Sequence, residues 1–335
     1  MNEAVERIQL AHGGGGSLMQ ELIARELRQL YVDPAAPLHD AAALQLPHGR
    51  LAFSSDGYVV QPLEFAGGDI GSLAVTGTAN DLAMAGARPL HLSVSLILEE
   101  GLPLALLRRL VASMAAAATA CGVAIVTGDT KVVERGKADG VFITTSGIGL
   151  IEAAAPIGPQ AIAPGDQLLL SGDLGRHGLA ILAARHGLRL EPPPATDCAP
   201  LWPQVAMLLQ AGVTPHCLRD LTRGGLGSAL TELAAASGCD LVLQEAAIGL
   251  APGVETAAAL LGLEPLHLAN EGRFVAVLPA AQAERALALL APMGGVKIGT
   301  VQARSGLLPQ VRLHTPLGSE RLLPPFSGEM LPRIC

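Results

Sequence analysis

The chain of 335 residues ends in a cysteine, and this position suggests thiol chemistry. Its last four residues are Pro332-Arg333-Ile334-Cys335. Structural cysteines are usually buried or bridged, whereas chain ends are usually solvated, so we expect Cys335 to be accessible. Pro324, Pro325 and Pro332 disfavour a helix and predict an extended, mobile tail. A reactive thiol on a swinging arm is one interpretation, and a chance terminal cysteine is the other.

Four aspartates in short polar motifs predict a metal-bound nucleotide. Carboxylate oxygens suit Mg²⁺, which holds phosphates against one or two carboxylates and water. Taken singly, such an aspartate at a strand end or turn also fits an Asx-turn or a helix cap. Taken together, they predict one site that folding must assemble, and its proposed metal ligands are Asp40, Asp56, Asp81 and Asp129.

Two glycine-rich segments precede predicted helices and could bind phosphate through main-chain N–H groups. The first contains Gly13, Gly14 and Gly15, although such a run also fits a flexible leader. The chain has neither a P-loop nor a dinucleotide-binding fingerprint, so any nucleotide site is of another type. The second segment spans 219–225 and predicts phosphate contacts from Asp220, Thr222, Arg223 and Gly224.

A single carboxylate, Glu271, stands between Asn270 and Gly272, just before a predicted apolar strand. At such a position a carboxylate could face a cleft and act as a general acid or base. A plain turn before the strand explains the same residues equally well.

Composition excludes several classes of function. With 22 basic and 30 acidic residues, the chain lacks the basic excess of a nucleic-acid binder. Its most apolar stretch, 110–126, is interrupted by Ser113, Thr119 and Gly122 and predicts no membrane span. We expect a cytoplasmic protein. The five cysteines lack CxxC spacing, so we expect neither a zinc site nor disulfides, and simple packing for Cys121, Cys198, Cys217 and Cys239.

The hydrophobic pattern predicts an α/β (α+β) protein of two domains, 1–155 and 156–320, and a mobile tail over 321–335. Strands are predicted over 50–60, 88–97, 123–127, 141–148, 167–171, 241–244, 273–278 and 296–301. Helices are predicted over 17–30, 70–86, 103–121, 178–186, 202–211, 225–237 and 280–291.

Taken together, these motifs resemble the HypE family of hydrogenase maturation factors, within the PurM or aminoimidazole-ribotide synthetase superfamily. The resemblance covers essentially the whole chain, and the terminal Pro-Arg-Ile-Cys is its most specific part. One departure is His39-Asp40, where superfamily members often have two adjacent aspartates. The other matching segments are 9–13, 77–81, 97–103, 126–133, 220–225 and 270–272.

The resemblance implies two PurM-like domains, the first forming a β-barrel-like interface in a homodimer and the second an α/β sandwich. It implies that the carbamoyltransferase HypF places a carbamoyl group on Cys335. With ATP and Mg²⁺, the chain then dehydrates this group to a thiocyanate. The cyano group passes to a HypC–HypD complex and becomes a ligand of the iron in [NiFe]-hydrogenase.

By the same resemblance, Glu271 is the base and Lys131 stabilises the phosphate or a developing anion. Asn80 and Thr130 belong to the nucleotide site. Arg333 either offsets the charge of the thiolate or is recognised by a partner. Alternatives from other classes are a non-catalytic carbamoyl or cyano carrier, and a superfamily kinase or synthetase such as thiamine-phosphate kinase or selenophosphate synthetase.

Overall fold

The computed structural model describes residues 6–31, 39–325 and 333–335. After a 3-10 turn over Leu10–Gly13, helix α1 (Ser17–Leu22) continues through a π turn and a second 3-10 turn to Leu30. The elements that follow, up to residue 151, are β1 (Leu51–Tyr58), β2 (Glu64–Phe65), β3 (Gly68–Asp69), α2 (Ile70–Met84), β4 (Ala87–Glu99), α3 (Leu104–Cys121), β5 (Ala124–Val133) and β6 (Val141–Ile151).

The first half is a four-stranded sheet in the order β1-β6-β4-β5, in which only the β4–β5 pair is parallel. Helix α2 packs on one face and is buried along nearly its whole length. Asp69 fixes where α2 begins, because its carboxylate accepts hydrogen bonds from the main-chain N–H groups of Gly71 and Ser72. The start of α2 determines which of its side chains reach β1.

The other face of this sheet exposes apolar side chains. Phe53 is 70% exposed, and Leu51 and Ile97 are also exposed. One chain therefore supplies an open four-stranded sheet, and the barrel and the homodimer stay predictions.

The second half contains a seven-stranded mixed sheet in the order β13-β12-β9-β11-β7-β10-β8. Strand β10, between β7 and the edge strand β8, is buried at every position, which explains the unbroken apolar run before Pro279. The elements are β7 (Gln167–Leu170), α4 (Arg176–His186), α5 (Trp202–Gln210), β8 (Cys217–Asp220), α6 (Gly225–Ser237), β9 (Asp240–Gln244), α7 (Val254–Leu261), β10 (Phe274–Leu278), α8 (Ala280–Leu290), β11 (Val296–Gln302), β12 (Val311–His314) and β13 (Glu320–Leu322).

Every helix and strand predicted from the sequence is present. Three aspartates, however, lie inside helices or strands and not at the strand ends or turns where they were expected. Asp56 lies inside β1, Asp81 lies inside α2, and Asp129 lies inside β5, which runs six residues beyond the predicted end. The predicted tail also starts too early, because β13 extends to Leu322. The elements that were not predicted from the sequence are β8, α7, β12, β13 and the short pair β2–β3.

Helix α3 is long and apolar enough to cross a membrane by length and composition alone. In this fold it packs against α2, and Leu107, Leu110 and Met114 are fully buried in the core. Its Arg108 makes two 2.8 Å hydrogen bonds to the carboxylate of Glu26. The apolar character of α3 is thus explained by core packing.

Candidate active site

The end of the chain is docked, not free. The main-chain N–H of Val59 donates to a main-chain oxygen of Cys335 at 3.1 Å, and that of Gln61 donates to the carbonyl oxygen of Arg333 at 3.3 Å. These bonds extend β1 with an antiparallel partner. Ile334 is only 5% exposed and joins the core of the first half. Cys335 itself is half-buried, so the expectation of a free, fully solvated terminal thiol is wrong for this conformation.

The Cys335 thiol lies among ionisable groups. Burial, followed by the charge of Glu271, raises its pKa to about 12, and the charge of Arg223 opposes this shift. Arg333, considered as the cation that offsets the thiolate, instead forms an ion pair with Asp139. The cation that favours the thiolate is instead Arg223, from the second glycine-rich turn, and recognition of Arg333 by a partner stays a prediction. Pro332 lies outside the described residues.

Glu271 is a buried carboxyl group without a described hydrogen-bond partner for its Oε1 atom. Burial and the charges of Asp197, Asp220 and Asp81 raise its pKa well above the ordinary value. Its own main-chain N–H donates to Asp197 at 3.1 Å. The next residue, Gly272, must be a glycine because a Cβ there would lie 1.9 Å from the carbonyl oxygen of Asp197. The site thus holds a carboxyl group with a raised pKa and with one oxygen open to a ligand.

Three aspartates from separate elements gather beside Glu271. Asp56 of β1 accepts a hydrogen bond from the Thr78 hydroxyl at 2.8 Å, and Asp81 of α2 accepts one from Ser54 at 2.7 Å. Burial, then the charges of Asp220 and Asp56, raise the pKa of Asp81 to about 7. Burial also raises the pKa of Asp220. Such mutual repulsion marks a place where a cation would be stabilised.

The four predicted metal ligands do not form one group. Among the described residues, no three His, Cys, Asp or Glu side chains are placed to hold a metal ion together. Asp56 and Asp81 still fit Mg²⁺, because this ion commonly takes one or two carboxylates and completes its shell with water and phosphate. Asp40 is exposed and makes no ion pair with a described residue. Its ligand role and that of Asp129 stay predictions.

Asp129 lies across the sheet from Asp56. In the strand register, Asp56 is level with Thr145 of β6. Thr145 is level with Val94 of β4, and Val94 with Gly128 of β5. Three strand spacings separate the two aspartates, roughly 14 Å. Within one chain they cannot share a metal ion.

A second group of predicted residues forms on β5. The amine of Lys131 lies 3.0 Å from the carboxylate of Asp129, and this pair lowers the pKa of Asp129. Thr130 between them is buried. The first glycine-rich segment lies against the same strand, since a Cβ on Gly13 would lie 3.0 Å from Val132. Gly14 and Gly15 follow directly. The structure therefore brings the first glycine motif next to the Asp129–Lys131 motif. This group lies on the strand farthest from β1, which carries Asp56.

The predicted nucleotide contact of Asn80 is not supported. Its amide donates to the carbonyl oxygens of Ala199 (3.1 Å) and Glu271 (3.2 Å) and accepts from the N–H of Leu201 (2.8 Å). Both amide hydrogens and one lone pair of the amide oxygen thus serve the main chain. A buried structural Asn and a ligand-binding Asn look alike in a sequence.

The turn after β8 presents the second glycine motif. Gly224 has φ +72°, and a Cβ there would lie 2.1 Å from the Ser228 hydroxyl oxygen. Thr222 is half-buried, whereas Arg223 is exposed and points its charge at the Cys335 site. Asp220, at the end of β8, thus brings this turn to the aspartate cluster.

Three groups that support this site were not predicted from the sequence. Asp197 accepts hydrogen bonds from the N–H groups of Glu271 and Gly272, and His177 binds the Ile334 carbonyl oxygen at 2.8 Å. Tyr58 is buried against Gly77, where a Cβ would lie 2.3 Å from its hydroxyl oxygen. The available signal for His177 was its position after Arg176 in a short segment bounded by Gly175 and Gly178, at the start of α4. Nothing local distinguishes Asp197 within its proline-rich loop.

Comparison with known proteins decides the family. The chain matches the N-terminal domain of AIR synthase related proteins over residues 38–151 and their C-terminal domain over 163–311. It is 49% identical over 336 residues to carbamoyl dehydratase HypE of Rhodobacter capsulatus, covering 98% of both chains. The chain belongs to the HypE family. The expected fold of two PurM-like domains is confirmed.

Solved structures of the HypE family agree with this assignment. One is a HypE in complex with ATP, with a TM-score of 0.92 and 45% identity, covering 97% of this chain and 99% of that one. Another is a HypE–HypF complex, with a TM-score of 0.78 and 38% identity, covering 92% and 99%. The HypE family thus includes a member that binds ATP and one that binds HypF.

Proposed function

We propose that this protein is an ATP-dependent carbamoyl dehydratase that converts an S-carbamoyl group on its own Cys335 into an S-cyano group. The observation that carries the proposal is the docking of Cys335 beside Glu271 and the aspartate cluster. A pure carrier needs no ionisable groups around its thiol. The name carbamoyl dehydratase, borne by close relatives, supports the same reaction.

The reaction removes one oxygen and two protons from the carbamoyl group. The carbamoyl oxygen attacks the γ-phosphorus of ATP, ADP leaves, and the nitrogen loses its first proton. The C–O bond then breaks with inorganic phosphate as the leaving group, and loss of the second proton gives the nitrile. Phosphorylation is needed because an amide oxygen is otherwise a poor leaving group.

The departing phosphate carries away one of these protons, and Glu271, in its deprotonated form, takes the other. Its raised pKa makes the deprotonated carboxylate a stronger base than an exposed glutamate. Its free Oε1 points to no described protein donor, so it can accept from the carbamoyl nitrogen. Arg223 lies on the same side as the thiol and would stabilise the phosphate that departs.

Mg²⁺ fits the carboxylates of Asp56 and Asp81, with Asp220 beside them. Bound there, the ion would neutralise phosphate charge and relieve the repulsion among the three aspartates. Deprotonation of Asp81 is then favoured, because an adjacent cation lowers the pKa of a carboxyl group.

The Asp129–Lys131 pair lies three strands away from Asp56, whose charge acts on the Cys335 thiol of the same chain. The pair can take part in the reaction if two chains form a homodimer through the open faces of their four-stranded sheets. One chain then contributes Asp129, Thr130 and Lys131 to a nucleotide site shared with the other. The exposed Phe53 on that face supports this arrangement. Lys131 would then stabilise phosphate charge.

The biological role follows from the partners. We propose that HypF supplies the carbamoyl group, in keeping with the solved HypE–HypF complex of relatives. The product cyano group goes to a HypC–HypD complex and supplies cyanide for the iron of [NiFe]-hydrogenase, in the cytoplasm.

An isotope experiment tests the chemistry. The chain is carbamoylated at Cys335 with ¹⁸O in the carbamoyl oxygen, Mg-ATP is added, and the phosphate released is analysed by mass spectrometry. Dehydration by phosphorylation of that oxygen places ¹⁸O in phosphate. Unlabelled phosphate, or ADP release that does not require Cys335, would instead point to a carrier or to a kinase of the superfamily.

A further inference from the structure

The last carbonyl oxygen before Cys335 is held by a buried histidine. His177 has no exposed surface, and its Nε2 atom lies 2.8 Å from the carbonyl oxygen of Ile334. A carbonyl oxygen can only accept, so Nε2 carries the proton and donates. Burial lowers the pKa of His177, which keeps the ring neutral and leaves Nδ1 as an acceptor. The ring is thus committed to a single tautomer.

Thr196 completes this arrangement. Its hydroxyl lies 2.8 Å from Nδ1 of His177 and therefore donates to it. The same oxygen accepts from the main-chain N–H of Cys198 at 3.1 Å. Phe65 packs edge-on against the His177 ring, with ring centres 5.4 Å apart. The imidazole is thus held by Thr196 and Phe65, and its N–H donates to the tail.

The residue after Thr196 reaches the proposed base. The carboxylate of Asp197 accepts the main-chain N–H groups of Glu271 and Gly272 at 3.1 and 3.2 Å. Three consecutive residues, 196–198, therefore position both the histidine that holds the tail and the backbone that carries Glu271. This one loop therefore contacts both the histidine that binds the tail and the backbone of the proposed base.

We propose that His177 and the loop 196–198 form a positioning unit that seats the C-terminal tail for dehydration. This inference rests on the proposed function for its catalytic part, but not for the seating itself. His177 acts through the main-chain carbonyl of Ile334 and is a positioning residue: it touches neither the thiol nor the carbamoyl group. Since the contact is to the main chain, it fixes where the tail lies without selecting the side chain.

The test measures seating and catalysis separately. Seating is the rate at which iodoacetamide alkylates Cys335 of the uncarbamoylated chain, followed by peptide mass spectrometry. His177→Phe keeps the aromatic contact but removes the donor, and should raise that rate about tenfold, because one buried hydrogen bond to the tail is lost. His177→Gln keeps an N–H donor and should restore most of the protection. His314→Phe, on the half-exposed strand β12, should change nothing.

If His177→Phe does not fold, Thr196→Val answers the same question, because it is nearly isosteric and leaves Nδ1 unpaired. In either variant, the dehydration rate should fall at least as much as alkylation rises, with ATP affinity unchanged. Unchanged alkylation in both variants would overturn the seating role. Faster alkylation with full dehydration activity would overturn the positioning role. The alkylation result stands even where the wild type proves not to dehydrate.

Discussion

Glu271 and Cys335, 64 residues apart in sequence, meet in one buried site where the carboxyl group helps to raise the pKa of the thiol. Burial is the larger cause of that shift, and Arg223 is the described cation that opposes it. An uncarbamoylated Cys335 is therefore held as a thiol when docked. Carbamoylation removes its ionisation, so the loaded sulfur brings no negative charge into the acidic site.

Replacing Glu271 by Gln should separate its two effects. Without the base, dehydration of the carbamoylated chain should fall at least about 100-fold. Without the charge, the pKa of the thiol should fall, so the pH profile of Cys335 alkylation should shift to lower pH. Glu284→Gln, an exposed change on α8, serves as the matched control. A Glu271→Gln protein with normal dehydration would exclude this residue as the base.

The raised pKa of Asp81 predicts how stability depends on pH. A carboxyl group with a pKa near 3.8 when unfolded and about 7 when folded binds protons more tightly in the folded state. Its contribution to stability is present below about pH 4 and is lost as pH rises to about 7. Asp81→Asn should therefore stabilise the metal-free protein relative to wild type increasingly over that range.

Thermal denaturation across pH, with and without Mg²⁺, checks this prediction. Mg²⁺ should raise the melting temperature of the wild type above pH 7 and have a weaker effect on Asp81→Asn. An equal gain from Mg²⁺ in both proteins would place the ion elsewhere.

Gly77 should be required for packing against Tyr58. A Cβ at Gly77 would lie 2.3 Å from the tyrosine hydroxyl oxygen, so Gly77→Ala should lower the free energy of unfolding by about 1–3 kcal/mol. Adding Tyr58→Phe removes the oxygen and should recover part of that loss. Urea denaturation of the two single variants and the double variant measures the coupling. Additive effects would show that this contact does not limit the approach of α2 to β1.

The length of the tail should matter more for dehydration than for loading. A main-chain oxygen of Cys335 accepts a hydrogen bond from Val59, and Ile334 is buried beside it, so one added alanine must fit in a packed site. We expect the extended chain to be carbamoylated normally and dehydrated slowly. Full dehydration with a long C-terminal extension would contradict a closed site.

Helix α2 and the central strands could be predicted from the sequence because their signals are local. Asp69 caps α2, and the apolar run of β10 is unbroken. Strand β12 could not be predicted, since its four residues form a strand by pairing with β9 and β13, which are distant or equally short segments. The sequence indicated the acids of the site as a set, but not which of them meet.

The docked tail was missed for a physical reason. Chain ends are usually solvated, and nothing in Arg333-Ile334-Cys335 signals that Ile334 fills a core position. Its partner His177 lies 157 residues away and belongs to the other domain. Likewise, the separation of Asp129 from Asp56 follows from strand register, which the spacing of the motifs does not encode.

The most direct test of the account follows the intact mass of the chain. Cys335 is carbamoylated by the partner transferase, Mg-ATP is added, and the protein is weighed over time while ADP is measured. We predict loss of the mass of one water with release of one ADP for each chain converted, and neither event in Cys335→Ala. A carbamoyl adduct that persists while ATP is bound would contradict dehydration and leave the chain a carrier.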